Sequence, residues 1–235
     1  MEIYAVKIMD ISDQKIDEIC LWIDEDKRCK LEKFINKKDK LRTLIGELLI
    51  RTLINKRFKL SNKDIIMGKN QYGKPYFKYN PRYNFNISHS ENFVVCAIDD
   101  KPIGIDIEKI KHIEYEEIAK NFFSKTEYNY ITQGDLKCQI GNFYEIWTLK
   151  ESVVKCCGRG LSMPLKSFSV EIGSDKNIKV IFNSNGEKNL YSLALFDIDT
   201  EYKMAVCSLS KKSSSSIKML DQNSLINDFH KLILE

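Results

Sequence analysis

Residues 102–110 read PIGIDIEKI, with Ile103, Ile105 and Ile107 alternating with Gly104, Asp106 and Glu108. An alternation of period two marks a strand with one face in a core and the other outside it. Three isoleucines on one face demand an apolar layer beneath them, so the chain must build a sheet with something packed on it. On the other face two carboxylates stand two residues apart. Like charges at that spacing repel unless water or a cation separates them. The strand is therefore either a solvated outer face or half of a metal site.

Two more strand patterns come just before it, at Phe85–Ser88 and Phe93–Ile98, and Asp99-Asp100-Lys101-Pro102 reads as a hairpin-like turn into PIGIDIEKI. Ile3–Ile8 is an opening strand. Ile16, Ile19, Cys20 and Ile23 follow helical spacing, and Leu41, Leu44, Ile45, Leu48, Leu49 and Thr52 form a stronger helical stripe. Beyond PIGIDIEKI, Ser124-Lys125-Thr126-Glu127 fits a capping box, which assigns Glu127 first to helix capping. Thr132–Gly141 reads as loop. Asn142–Cys157 reads as a helix ended by Gly158 and Gly160. Phe168–Ile172, Ile178–Phe182, Tyr191–Phe196 and Tyr202–Leu209 read as strands, and a short helix near Leu225–Leu234 closes the chain. Helices grouped between runs of strands give an α+β class. The expected division is 1–103, 104–210, and a Ser-rich linker and tail over 211–235, with Lys211–Ser216 (KKSSSS) as the linker.

At 235 residues and 43% hydrophobic content the chain can bury one large core or two small ones. No apolar run approaches a membrane span, and Met1–Asp10 lacks the pattern of a signal peptide. Seven irregularly spaced cysteines suit reduced thiols of a cytoplasmic protein, not a disulfide frame or a zinc site. Charge is concentrated between Lys27 and Arg42, where eight basic residues face two acidic ones. Such a run is a solvated helix face or a phosphate-binding surface. Aromatic residues are sparse there, which argues against single-stranded nucleic acid.

Residues 147–155, WTLKESVVK, put Trp147, Lys150, Glu151, Val154 and Lys155 on one helical face. Alone, this reads as an exposed stripe with a Glu151–Lys155 pair. Joined to Asp106 and Glu108, it offers three carboxylates and a lysine, which can hold a hard divalent cation and a phosphate oxygen. His89 ends a strand in Asn86-Ile87-Ser88-His89-Ser90, whose hydroxyls suit phosphate contact.

QYGKPY, FNISHS, PIGIDIEKI, FFSKTEY and WTLKESVVKCCGRGLSMPLKSFSV occur in this order, and together they resemble the Sfp-type 4′-phosphopantetheinyl transferases up to about Ser208. The resemblance implies two similar α+β halves around a central site, in a monomer that binds coenzyme A and magnesium, with manganese as an alternative. It implies transfer of the phosphopantetheine arm to a serine of an apo acyl or peptidyl carrier protein, with release of adenosine 3′,5′-bisphosphate. Neither a nucleic acid nor a membrane is an implied partner. Asp106, Glu108 and Glu151 match the metal-binding carboxylates. Glu151 is also a candidate base for the serine proton, and Lys155 would hold the pyrophosphate. Lys27, Lys30, Thr43, Lys74, Ser88 and His89 match contacts to the nucleotide end, and the main chain of Pro75 lies near the adenine. Trp147 and Lys150 have supporting roles. Gln71 departs from the Glu often found there, and the tail beyond Ser210 departs most.

Two other readings compete. Metal-dependent nucleases also use strand carboxylates and a lysine. Their carboxylate and lysine usually lie two apart on a strand, not four apart on a helix as Glu151 and Lys155 do. A non-catalytic carrier- or nucleotide-binding module would not need all the catalytic residue types, and all are present.

Overall fold

The computed structural model describes residues 1–173, 177–183, 191–210 and 216–234. Residues 211–215, most of the expected KKSSSS linker, lie outside the described residues. The chain first runs through β1 (Glu2–Lys7), α1 (Asp13–Cys20), α2 (Glu25–Leu31), α3 (Lys37–Phe58), β2 (Met67–Lys69), β3 (Pro75–Phe77), β4 (Asn84–Ser90) and β5 (Phe93–Asp99). It then repeats that order with β6 (Ile103–Lys109), α4 (Tyr115–Phe122), α5 (Lys125–Ile131), α6 (Leu136–Cys157), β7 (Phe168–Ile172), β8 (Ile178–Phe182), β9 (Ser192–Phe196) and β10 (Tyr202–Ser208). The sheets repeat as well: β1-β5-β4 in the first half and β6-β10-β9 in the second, with β2-β3 and β7-β8 as separate pairs. The α+β class with two similar halves is thus present in the topology.

The long helices α3 and α6 have 22 residues each. Asn36 caps α3 by accepting from Lys38 N at 2.8 Å, and Asp135 caps α6 by accepting from Cys138 N at 2.9 Å. Both end on a left-handed residue, Lys59 at φ 56° and Gly158 at φ 68°. Helix α6 therefore begins at Leu136, inside the stretch expected to be loop. Its first turn is exposed, Leu136 included, so no apolar stripe marks it.

Every residue of β5 is buried. Val94, Cys96 and Ile98 face the α3 core, while Val95 and Ala97 join Ile3, Ala5, Ile103, Ile105, Ile107, Met204 and Val206 in a layer between the two sheets. The three isoleucines of PIGIDIEKI thus hold the halves together. Strands β5 and β6 do not form the expected hairpin. Strand β5 already has β1 and β4 on its two edges, while β6 pairs with β10, so residues 99–102 cross between sheets. That crossing is fixed by Ser208 Oγ donating to Asp99 Oδ2 at 2.9 Å.

The segment expected as a tail carries β11 (Ile217–Leu220), which pairs in parallel with β1, and α7 (Gln222–Leu234), which packs on the α3 core through Leu225, Ile226, Phe229 and Leu232. The buried Gln222 fastens it, accepting from Met9 N at 2.9 Å and donating to Met9 O at 3.0 Å. Among the described residues no disulfide forms and no helix is long and apolar enough to cross a membrane.

Candidate active site

The site forms where the two sheets meet edge to edge, at β4 and β6. Alternate side chains of β4 make the join in place of a backbone ladder. Asn86 Oδ1 accepts from Ile105 N at 2.8 Å, Ser88 Oγ donates to Asp106 Oδ1 at 2.9 Å, and Ser90 Oγ donates to Glu108 Oε2 at 2.8 Å. Period two in the sequence put Asn86, Ser88 and Ser90 on one face, a signal that could have identified Asn86 and Ser90 as well as Ser88.

Helix α6 covers the other side of β6, and Gly104 sets how close it comes. A Cβ at Gly104 would lie 2.1 Å from Ser152 O and 2.4 Å from Cys156 N. Only a residue without a side chain allows this approach. It brings Glu151 and Lys155 over Asp106. Ser88, His89, Asp106, Glu108, Trp147, Glu151 and Lys155 then share one open cavity of about 350 Å³.

Asp106 is 3% exposed. Its Oδ1 receives Lys155 Nζ at 2.5 Å as well as the Ser88 hydroxyl, and Lys155 Nζ also donates to Ser88 Oγ at 3.0 Å. Its Oδ2 is buried without a hydrogen-bond partner. An unsatisfied buried carboxylate oxygen is costly, and a cation is the partner that removes the cost. Burial, and then the charge of Asp106, push the Glu108 and Glu151 carboxyls up from the ordinary glutamate range. Three crowded oxygen donors fit a hard divalent ion in kind. Among the described residues no three His, Cys, Asp or Glu side chains are gathered into a ready-made metal cluster. Lys155 engages Asp106 instead.

His89 stands at the cavity wall, where burial and the nearby Arg42 guanidinium lower its pKa and favour the neutral ring. Arg42 is a neighbour the sequence reading missed. It is fixed by Asp39 and donates to Glu91 O at 2.8 Å. Thr43 follows it on α3 and is half-buried. Read alone, WTLKESVVK suggests an exposed stripe, and the structure does not form one. Lys150 is fully buried on Glu127, Val154 is buried, and Lys155 turns to Asp106 rather than to Glu151.

The other basic positions are dispersed. Lys27 pairs with Glu47, while Lys30 is exposed on α2 and has no carboxylate partner among the described residues. Lys37 and Lys40 pair with Asp10, Asp13 and Asp17, so part of the basic run is neutralised locally. Lys74 lies in the turn before β3, where Gly73 takes φ 89°. Its ammonium donates to Ile103 O at 2.8 Å and Lys155 O at 2.7 Å, at the carbonyl end of α6. Asn70 Nδ2 donates to Gly158 O at 2.8 Å beside it. The QYGKPY turn is thus clamped to the end of α6, with Pro75 exposed.

Residues 102–207 match the family model described as the 4′-phosphopantetheinyl transferase superfamily, and residues 11–101 match that for the 4′-phosphopantetheinyl transferase N-terminal region. The chain is 40% identical over 228 residues to the 4′-phosphopantetheinyl transferase Sfp of Bacillus subtilis (strain 168), covering 96% of this chain and 100% of the relative. It is 36% identical over 208 residues to the 4′-phosphopantetheinyl transferase gsp of Aneurinibacillus migulanus, covering 88% and 85%. It is 29% identical over 163 residues to the L-aminoadipate-semialdehyde dehydrogenase-phosphopantetheinyl transferase of Mus musculus, covering 64% and 53%.

Proposed function

The chain belongs to the 4′-phosphopantetheinyl transferase family, and from that membership we propose how its own residues carry out the transfer. The phosphopantetheine arm of coenzyme A moves to a serine hydroxyl of an apo acyl or peptidyl carrier protein. The serine oxygen forms a bond to the phosphorus that bears the pantetheine arm. The bond from that phosphorus to the bridging pyrophosphate oxygen breaks, and adenosine 3′,5′-bisphosphate leaves with the electron pair.

The observation that carries this reading is the convergence of Asp106, Glu108, Glu151 and Lys155 on one cavity, with Asp106 Oδ2 buried and unpartnered. Asp106, Glu108 and Glu151 are the residues that would hold magnesium, or manganese in its place. That ion, when bound, neutralises pyrophosphate charge and keeps the reacting oxygens in position. Lys155, released from Asp106, is within the same cavity to hold a phosphoryl oxygen as charge develops. Glu151 takes the serine proton, directly or through a water. Ser88 and His89 line the wall on which the nucleotide end would rest, with Lys30, Thr43 and the main chain of Pro75 beyond. Lys27 and Lys74 join them only by exchanging Glu47 and the α6 carbonyls for phosphate.

In this scheme residues 1–103 bind the nucleotide and residues 104–210 hold the metal and the catalytic groups. The two matched family regions, which meet between residues 101 and 102, support that division. The protein is proposed to act as a monomer in the cytoplasm.

The test is to mix the protein with coenzyme A, magnesium chloride and a panel of apo carrier proteins, and to weigh the carriers by mass spectrometry. The expected result is a phosphopantetheine mass increase that chelation with EDTA abolishes. No increase on any carrier would sink the reading.

A further inference from the structure

The fifteenth residue of each 22-residue helix is a buried cation, Arg51 on α3 and Lys150 on α6. Lys150 has a carboxylate of its own in Glu127. Arg51 shares one. Its Nε and the ammonium of Lys27 both sit on Glu47 Oε1. The rest of its fork is used as well. Nη2 pairs with Asp24, and Nη1 donates to Asn62 O at 3.1 Å and to Asn62 Oδ1 at 2.9 Å. Asn62 Nδ2 in turn donates to Trp22 O at 3.4 Å. A planar guanidinium holds several acceptors in one fixed geometry, which a lysine does not.

These partners fix the start of α2. Asp24 directly precedes that helix, where an aspartate ordinarily caps it with its carboxylate. Here the carboxylate makes no capping bond and goes to Arg51. The helix buries only Leu31, its last residue. Its other end, with Lys27, is held by Arg51, directly at Asp24 and through Glu47 at Lys27 itself.

The shared oxygen decides how firmly Lys27 is held. Burial, and also the Arg51 charge, lower the Lys27 pKa against the pull of Glu47. On Glu47 burial acts upward, but the charges of Lys27 and Arg51 keep its carboxyl below the ordinary glutamate range. The Glu47 side chain is only 16% exposed, so a carboxylate left there without a cation would be costly. Arg51 prevents that. When Lys27 turns to a phosphate, Glu47 keeps its guanidinium, and Lys27 moves away from a like charge.

We propose, on the reading that Lys27 meets the nucleotide end of coenzyme A, that Arg51 is the positioning residue for Lys27. It fixes the start of α2 through Asp24, and it stays on Glu47 while Lys27 exchanges that carboxylate for a phosphate.

The experiment is a double-mutant cycle of Arg51→Lys and Lys27→Ala in the full-length protein. Calorimetry gives the Kd of coenzyme A in magnesium chloride, and transfer to an apo carrier protein at saturating coenzyme A gives kcat. Lys27→Ala is expected to weaken coenzyme A about tenfold, as the loss of one charge-assisted hydrogen bond does. Arg51→Lys should weaken it about fivefold alone but less than about twofold once Lys27→Ala is present, with kcat within about twofold throughout. Should Arg51→Lys fail to fold, Asp24→Ala takes its place in the cycle, since the Asp24 side chain is 56% exposed. It should weaken coenzyme A severalfold, again only while Lys27 is present. Equal losses in both backgrounds would mean that Arg51 does not act through Lys27, and would overturn the proposal. So would wild-type affinity in both Arg51→Lys and Asp24→Ala, or a loss confined to kcat. If Lys27→Ala binds coenzyme A as wild type does, the placement of the nucleotide at Lys27 fails and the proposal with it, while a phosphopantetheine mass increase on the carrier still leaves the transfer reading standing.

Discussion

Helix α6 carries two lysines five positions apart, each on a carboxylate, and the two pairs are built in opposite ways. Lys150 and Glu127 are both 0% exposed. Lys150 Nζ donates to Glu127 Oε1 at 2.7 Å and Phe168 O at 2.8 Å, and it lies 4.3 Å from the Phe168 ring centroid. The other contacts of Glu127 come from Val170 N at 2.8 Å and Ser124 N at 2.7 Å, so both its oxygens are engaged. Lys155 and Asp106 stand in an open cavity, with one Asp106 oxygen left bare. The first pair is complete without any ligand and fixes α5, α6 and β7 to one another. The second is incomplete until something binds. Completeness, more than the residue types, separates the structural pair from the one proposed to act in transfer.

The largest effect should come from breaking the complete pair. Lys150→Met leaves the Glu127 carboxylate buried and uncompensated, at a cost of about 3–5 kcal/mol. Urea denaturation should show that loss, and adding Glu127→Gln should recover part of it. A loss below about 1 kcal/mol would mean that the pair does not hold the second half together, and the contrast with Lys155 would collapse.

Much of this contrast was hidden from the sequence. The isoleucine alternation identified the core face of β6, while the mixed face of WTLKESVVK pointed to Glu151 and Lys155 only when joined to Asp106 and Glu108. Ser124 to Glu127 spelled a capping box, and that box forms. Yet Glu127 also neutralises Lys150, 23 positions further on, and no local pattern encodes a partner at that distance. The same limit explains the misread hairpin. Strand β5 looks like any neighbour of β6, and only its pairing with β1, near the chain start, fills the edge that β6 would have used. It also explains the basic run, where the partners of Lys27, Lys37 and Lys40 come from other helices or from the chain before α1. The parallel strand β11 was missed because its partner lies more than two hundred residues away.

A second substitution sharpens the comparison by disturbing one pair and sparing the other. Gly104→Ala drives a Cβ into Ser152 O and Cys156 N, backbone atoms that cannot rotate aside. Helix α6 must then shift off β6, at a cost of about 2–3 kcal/mol. Glu127 and Lys150 lie on the other side of α6 and should stay paired. Asp106 and Lys155 are directly at the shifted contact, so transfer should fall by far more than stability alone explains. A variant that transfers at the wild-type rate would show that the close approach of α6 is not what assembles the site.

The smallest effect on stability should come from Asp106→Asn, because the incomplete pair contributes little to the fold. Stability should change by no more than about 1 kcal/mol, because the lost Lys155 pairing is offset by relief of the like charge that Asp106 places on Glu108 and Glu151. Transfer, by contrast, should drop at least about 100-fold, through loss of a charge that the proposed cation would need. The pH dependence supplies a second measure. In chelator-treated protein, Glu108 and Glu151 titrate above the ordinary glutamate range, through burial and then the Asp106 charge. A carboxyl whose folded pKa is raised binds its proton more tightly in the folded state. Stability therefore falls as pH rises from about 4.3, the unfolded value, through the raised folded values. Removing the Asp106 charge should shrink that fall and leave only the part that burial causes. Melting curves recorded across this window for both proteins give the comparison. Identical slopes would mean that Asp106 does not set the field of the cavity, and its bare oxygen would lose its meaning as a cation site.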